Sequence, residues 1–514
     1  MKIDSHETTN RKYHAVVLGG ILRDYAGRPL GPYRLRSACK RKGFEIKVID
    51  FAWQLTSDRL LNILSAYITK ETLVLGISNV WLSTSKEVND KESLVNRWIV
   101  PSFWKQFKIR FPWCKIVIGG TKPTLVQGAE LLKPYAEWWL TGFSDIAFPK
   151  LLQHLQGNNP DLVYRTDADS TKIIQSDTHY KVSDMDELET FYEAEDRFKD
   201  FQPLPLEVSR GCIFKCAFCS HPFLGKKSYD YIRSPESLAR ELKRNYNLFG
   251  TTRYFITDDT FNDSIEKLDR LERAIDLSGI PDFNFVCYIR AELIASTPAM
   301  IPILKRLGCK GGTVGIESMN NYARRIIGKG MDIERVLDSL AKFKAETGVR
   351  LHTGMIVGLP GDQAEDAIKW HERFIADDIF SDWTFQQLGL IFTDEGEGLS
   401  LFEKNPGKFG YSLSVPKNDL TNQPRSRGWI NDVGATEKEC KVAAEEISKL
   451  SEFTCKVGGF GVGDAWYHGV TDKEILTLPK NQLRLGRRGI ESGIIRAKES
   501  ELEARKITTR QVKK

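Results

Sequence analysis

Three cysteines lie within eight residues: Cys212, Cys216 and Cys219, in the stretch Arg210-Gly211-Cys212-Ile213-Phe214-Lys215-Cys216-Ala217-Phe218-Cys219. The spacing is C-x3-C-x2-C, and the residues alone leave three readings of it open. Three thiolates on one tight loop can bind three irons of a cubane cluster, leaving the fourth iron open to a small molecule. Clusters that only carry electrons usually have four Cys ligands, so an open corner points to catalysis. Alternatively, His221 completes a Cys3His zinc set, although structural zinc sites usually pair C-x2-C motifs and no second pair follows. The third reading is buried structural thiols, but core cysteines rarely cluster on a Gly-flanked loop. The other six cysteines, Cys39, Cys114, Cys287, Cys309, Cys440 and Cys455, are scattered. An odd total of nine, in a large chain whose first ten residues lack an apolar leader core, argues against a disulfide framework.

The elements around this loop alternate between strand and helix patterns. Leu206–Ser209 is an apolar strand leading directly into the cysteines. Further strands are expected at Arg253–Thr257, Asn284–Ile289, Gly312–Ile316, His352–Val357 and Trp383–Phe392. Helical spacing separates them at Ser234–Phe249, Asp263–Leu277, Asn320–Ile327 and Asp332–Thr347. Six such units suggest a partial (β/α)6 barrel over residues 204–400, with chemistry at the carboxyl ends of its strands. After a short tail, 1–12, residues 13–155 show the same alternation. Strands at Tyr13–Leu18, Phe44–Asp50, Thr72–Ser78, Lys115–Ile118 and Trp138–Gly142 predict an α/β, doubly wound Rossmann-like domain. Ligands of such sheets sit beyond the strand ends, where Gly19-Gly20, Ser78, Gly119, Gly120 and Gly142 stand. Residues 156–203 are polar and acidic, and are expected to be a solvated linker. Residues 401–514 form a mostly helical accessory region, with Ala435–Phe453 as an amphipathic helix. Its glycine-rich Gly458–Gly463 fits no phosphate-loop spacing.

Composition bounds the rest. The chain has 514 residues, 41% hydrophobic and 28% charged, and a net charge of +6. That is globular usage, and the length suggests about three domains. No apolar run reaches the ~18 residues of a membrane span. The positive charge concentrates in residues 475–514, with eleven Lys/Arg against four Asp/Glu, so a basic field over the whole protein is not expected. A cytoplasmic setting is expected.

The cysteine motif, with an aromatic residue before its last Cys, resembles the radical S-adenosylmethionine (SAM) enzymes. Tyr254–Asn262 (YFITDDTFN), Tyr288–Leu293 (YIRAEL), Gly311–Ser318 (GGTVGIES) and Thr353–Asp362 (TGMIVGLPGD) are similar, in order, to later strands of the subfamily that carries an N-terminal cobalamin-binding domain. Arg28–Asp50, Val74–Ser78, Ile116–Thr124 and Thr141–Asp145 resemble pieces of that domain. The resemblance implies that Cys212, Cys216 and Cys219 ligate a [4Fe-4S] cluster whose open iron chelates SAM, cleaving it to a 5′-deoxyadenosyl radical. It implies SAM contacts from Phe218 (adenine), Asp258 and Asp259 (ammonium), Arg290 (carboxylate), Glu317 and Ser318 (ribose or carboxylate), and Gly358 and Gly361 (close backbone approach). It also implies a corrinoid lined by Ser78, Gly119, Gly120 and Gly142.

One departure matters. The Asp-x-His-x-x-Gly motif for a lower cobalt ligand is broken, with Ala26 where the His would follow Asp24, and His14 is poorly placed to substitute. Relatives lacking that His also bind the corrinoid. The implied activity is cobalamin-dependent methylation of an unactivated carbon. Its implied partners are SAM, an unidentified substrate and an external donor of flavodoxin or ferredoxin type. The chain is expected to be a monomer that uses neither membrane nor nucleic acid. A cobalamin-independent radical SAM oxidoreductase, cyclase or rearrangement enzyme is the alternative. From another class comes a metal- or Fe–S-containing nucleic-acid-binding module anchored by the basic tail. A methylthiotransferase would need three further cluster cysteines, where the N-terminal region offers only Cys39 and Cys114.

Overall fold

The structure is a computed structural model. It describes residues 11–19, 29–50, 52, 57–78, 101–120, 133–158, 161–167, 169–176, 183–196, 198, 203–219, 229–390, 400–413 and 428–454. The chain divides into two compact units, Met1–Tyr192 with Ile490–Lys514, and Glu193–Gly489.

The first unit is built on β1 (Ala15–Leu18), β2 (Ile46–Ile49), β3 (Val74–Ser78), β4 (Lys115–Gly120) and β5 (Trp138–Thr141). These are parallel in the order β2-β1-β3-β4-β5. Helices α1 (Leu30–Lys40), α2 (Ser57–Tyr67), α3 (Pro101–Arg110) and α4 (Ala147–Leu155) lie between the strands in the chain. Near-continuous apolar strands imply a sheet covered on both faces. Accordingly, Val16, Leu75, Ile116 and Ile118 enter one core with Phe103, Trp104 and Phe107, while Val17, Val74 and Val117 enter a second with Phe148 and Leu151. This strand order reverses direction between β1 and β3, the position where open α/β sheets bind ligands.

The expected linker is corrected here. Residues within 156–203 add two strands to this sheet: β7 (Lys172–Gln175) pairs parallel with β5, and β6 (Arg165–Thr166) pairs antiparallel with β7. Ile174 is wholly buried. The stretch that follows is claimed by α1: Arg36 donates to the Phe191 carbonyl at 3.0 Å, Arg41 to that of Glu189 at 3.1 Å, and Ser37 accepts from the Phe191 amide at 2.8 Å. Unmet backbone groups, rather than apolar pattern, fix this segment.

The second unit has six parallel strands in sequential order: β8 (Leu204–Leu206), β9 (Arg253–Ile256), β10 (Asn284–Ile289), β11 (Cys309–Glu317), β12 (Arg350–Val357) and β13 (Asp382–Gln387). Between them run α5 (Pro235–Phe249), α6 (Ile265–Ser278), α7 (Ala291–Ser296), α8 (Met300–Arg306), α9 (Asn321–Ile326), α10 (Ile333–Thr347) and α11 (Asp366–Asp377). This is the connectivity of an incomplete βα barrel. Helix boundaries follow side-chain chemistry: Ser234, Ser264 and Asp332 cap α5, α6 and α10 by accepting from first-turn amides, and a left-handed glycine ends each helix. Beyond β13 come a short α12 (Leu401–Lys404), the paired strands β14 (Ser412–Leu413) and β15 (Trp429–Ile430), and α13 (Glu437–Thr454). Gly20, Asp24, Ala26, His221, Phe392, Gly458–Gly463 and the basic tail 475–514 lie outside the described residues.

Candidate functional site

The cysteine loop starts where β8 stops being a strand. The expected strand Leu206–Ser209 instead ends at Leu206, because Asp258 takes over the next hydrogen bonds. Its Oδ1 accepts from the Val208 amide at 2.9 Å and its Oδ2 from the Ser209 hydroxyl at 2.6 Å. Lys267 Nζ lies 3.4 Å from the same carboxylate, and both side chains are buried. Burial still raises Asp258 to about 6, the Lys267 charge and the Ser209 bonds lowering it only in part. Asp258 thus anchors the chain beneath the loop. Asp259 next to it is half-buried.

Gly211 has φ +81°, a left-handed turn that sends the chain across the strand ends. Cys212, Cys216 and Cys219 then follow as half-buried thiols outside any disulfide. The loop is tied at its middle, where the Ala217 amide donates to the Ile327 carbonyl at 3.1 Å and the Ala217 carbonyl accepts from Phe402 at 3.1 Å. Side chains from elsewhere in the chain reach Cys212 and Cys216. Thr260 Oγ1 lies 3.3 Å from Cys212 Sγ, and Arg290 Nη1 lies 3.4 Å from Cys216 Sγ. The Phe214 amide also points at Cys212 Sγ, at 3.4 Å. Hydrogen bonds to the ligand sulfurs are among the means by which a protein tunes an iron–sulfur cluster. The donor set therefore fits a thiolate-held cluster. Among the described residues, no three His, Cys, Asp or Glu side chains converge on a position for one metal ion.

Arg290 is not a free fork for a carboxylate. It donates to Cys216 and, at 2.8 Å, to the Gly328 carbonyl; its Nε lies 3.3 Å from Glu292, and its guanidinium stacks 3.9 Å over the Phe214 ring. Glu317 ends β11 with φ +67°, beside a register shift. Its Oε1 lies 3.1 Å from the buried Lys329 Nζ, which also donates to the Gly315 carbonyl. A non-glycine residue held left-handed is strain that persists where the surroundings impose it, often at functional sites.

Ser318 is turned inward. Fully buried, it donates to Asp362 Oδ1 at 3.0 Å and accepts from the Asn320 amide. Gly358 and Gly361 do bring backbone close to something, but to protein: a Cβ on Gly358 would meet the Trp429 ring at 2.1 Å, and one on Gly361 the Tyr322 ring at 2.5 Å. Phe218 is half-buried on the loop. The sequence reading missed Thr260, Phe214, Lys329 and Asp362. Thr260 follows Asp258-Asp259 on the same strand-end turn, and Lys329 sits in the Gly328-Lys329-Gly330 turn; nothing in their residue types marks them.

In the first unit, Ser78, Gly119 and Gly120 end adjacent strands, with Ser78 paired to Gly119 and Gly120 to Thr141. Gly120 accepts from the Gly142 amide at 2.7 Å, closing the row. A Cβ on Gly119 would meet its nearest neighbour, the Leu140 carbonyl, at an ordinary 3.5 Å. Internal packing therefore does not demand glycine at Gly119. His14 accepts from the Glu45 amide at 3.0 Å and packs edge-on against Phe44, a structural placement.

Comparison with known proteins agrees with this geometry. Residues 206–374 match the Radical SAM superfamily. The chain is 25% identical over 210 residues to the ribosomal protein uS12 methylthiotransferase RimO of Campylobacter fetus, covering 38% of this chain and 45% of the relative. It is 27% identical over 160 residues to an uncharacterised methyltransferase of Pyrococcus horikoshii, covering 31% of this chain and 34% of that one. Both matches thus span less than half of those relatives. In structure, the radical SAM methyltransferase TsrM of Kitasatospora setae, solved with cobalamin and a [4Fe-4S] cluster, superposes with TM-score 0.61 at 14% identity, over 92% of this chain and 100% of that one. The βα barrel that carries Cys212, Cys216 and Cys219 is therefore a radical SAM domain, in a chain that shares its fold with a cobalamin-containing member of that superfamily.

Proposed function

We propose that this chain is a cobalamin-dependent radical SAM methyltransferase acting on an unactivated carbon. The observation that carries the reading is the cysteine loop itself: three half-buried thiols outside any disulfide, beyond the ends of six sequential parallel strands, with Thr260 beside Cys212 and Arg290 donating to Cys216. Cys212, Cys216 and Cys219 would hold the [4Fe-4S] cluster, and Ser78, Gly119, Gly120 and Gly142 the corrinoid. When bound, the cluster supplies the electron that cleaves SAM, and the corrinoid carries the methyl group. The chain's own residues do the positioning. Asp258 and Lys267 fix the strand end that launches the loop, and Lys329 pairs with Glu317 at the end of β11.

Methylthio transfer is disfavoured despite the RimO match. Cys39 and Cys114 are fully buried, and burial pushes both thiols up, Cys114 to about 12. Neither is poised to hold a second cluster. An external one-electron donor and an unidentified substrate complete the reaction.

Anaerobic reconstitution with iron, sulfide and hydroxocobalamin tests the reading. Retention of both iron–sulfur and corrinoid absorption, with 5′-deoxyadenosine formed from SAM, is expected. Formation of 5′-deoxyadenosine without a corrinoid would move the assignment to a cobalamin-independent radical SAM reaction. Undiminished formation in the Cys212/Cys216/Cys219→Ala variant would reject the ligands.

A further inference from the structure

Building on the cluster assigned above, we propose that Arg290 sets the reduction potential of that cluster through a charged N–H···S bond to Cys216. Its Nη1 lies 3.4 Å from Cys216 Sγ. The side chain is held on every side. Nη2 donates to the Gly328 carbonyl at 2.8 Å, Nε faces Glu292 at 3.3 Å, and the guanidinium plane lies over Phe214. Its backbone is pinned as well, since fully buried Asn262 accepts from the Arg290 amide at 2.8 Å and donates to the Arg290 carbonyl at 3.1 Å. Glu292 is in turn fixed by buried Arg324 at 2.6 Å. This network exists in the protein alone, so the donor is preorganised for the sulfur.

The groups that meet Cys212 are neutral, the Thr260 hydroxyl and the Phe214 amide. Arg290 brings a full positive charge to Cys216, with its side chain only 10% exposed. Charge acts more strongly where water is excluded. Reduction adds one negative charge to the cluster, and cluster potentials follow net charge and hydrogen bonds to the sulfurs. A guanidinium on a ligand sulfur stabilises the reduced form and raises the potential. Glu292, 3.3 Å from Nε, partly offsets that charge.

The test is a spectroelectrochemical titration of the reconstituted full-length chain, read by the electron paramagnetic resonance (EPR) signal of the reduced cluster. Arg290→Gln should move the midpoint to a more negative potential. Arg290→Lys, keeping charge but losing the fork and the stack, should fall between that and wild type. Glu292→Gln should move it the opposite way, by unmasking the guanidinium. A merely structural role would loosen the loop in Arg290→Gln and Glu292→Gln alike, so shifts of the same sign overturn the proposal, as does an unchanged midpoint in Arg290→Gln. If Arg290→Gln takes up no cluster, the Lys and Glu292 variants decide the question by the same signs. A wild-type chain that takes up no cluster overturns the cluster assignment itself.

Discussion

Asp362 carries a buried carboxyl that pairs with no cation among the described residues. Ser318 donates to Oδ1, while Oδ2 is buried without a hydrogen-bond partner. Burial raises its pKa from 3.8 to about 8, the bonds from Ser318 and Asn320 lowering it only in part. Between those values the unfolded chain gives up the proton while the folded chain keeps it, so stability falls as pH rises across the window. At about 1.4 kcal/mol per pKa unit the effect reaches a few kcal/mol. In scanning calorimetry, wild type should lose more thermal stability from about pH 5 to about pH 8, inside that window, than Asp362→Asn; equal slopes would contradict the assignment. At this scale the sequence showed the cysteines, because their spacing is chemical. Asp258, Arg290, Ser318, Gly358 and Gly361 were visible as strand-end residues, but not their partners. Val208, Cys216, Asp362, Trp429 and Tyr322 lie up to 74 positions away in the chain, and no local pattern reports such contacts.

The turn after β12 shows how one element fixes another. Gly358 has φ +101°, and the Trp429 ring of β15 fills the space a Cβ would need. Trp429 Nε1 donates to the Leu388 carbonyl at 3.0 Å, and the Tyr411 hydroxyl donates to the Gly358 carbonyl at 3.0 Å, so the ring has no room to withdraw. Gly358→Ala should cost about 2–4 kcal/mol, combining overpacking with left-handed strain. Gly330→Ala, where nothing lies within 4 Å of the added methyl, should fall within about 0.5 kcal/mol of wild type. Denaturant titration of both variants checks this, and equal losses would contradict it. The barrel strands and capped helices were legible because apolar period and capping residues coincide there. The end of β8 was misread because a distant carboxylate, not a strand neighbour, takes the Val208 amide. The strands β6 and β7 were missed because β6 has only two residues, both polar and exposed, and the two apolar residues of β7 are flanked by polar ones.

The two units divide the cofactors between them in this account. The order of the motifs along the chain was readable because each unit repeats its own alternation, while the substrate was not, because no residue pattern specifies it. Gly119→Leu adds bulk at the strand ends of the first unit, where a Cβ makes only ordinary contacts. It should lower cobalt retention several-fold and leave iron content unchanged. The triple Cys212/Cys216/Cys219→Ala variant should do the reverse, losing iron while keeping cobalt. Paired metal analysis of the two proteins checks this, and loss of both metals in either variant would contradict the division.

The most direct measurement is the EPR spectrum of the reduced, reconstituted chain before and after addition of SAM. A cubane held by Cys212, Cys216 and Cys219 alone has one iron open to the amino and carboxylate groups of SAM. The account predicts a [4Fe-4S] signal whose g values change on adding SAM. A cluster signal indifferent to SAM, or a protein that binds zinc in place of iron at these thiols, would contradict it.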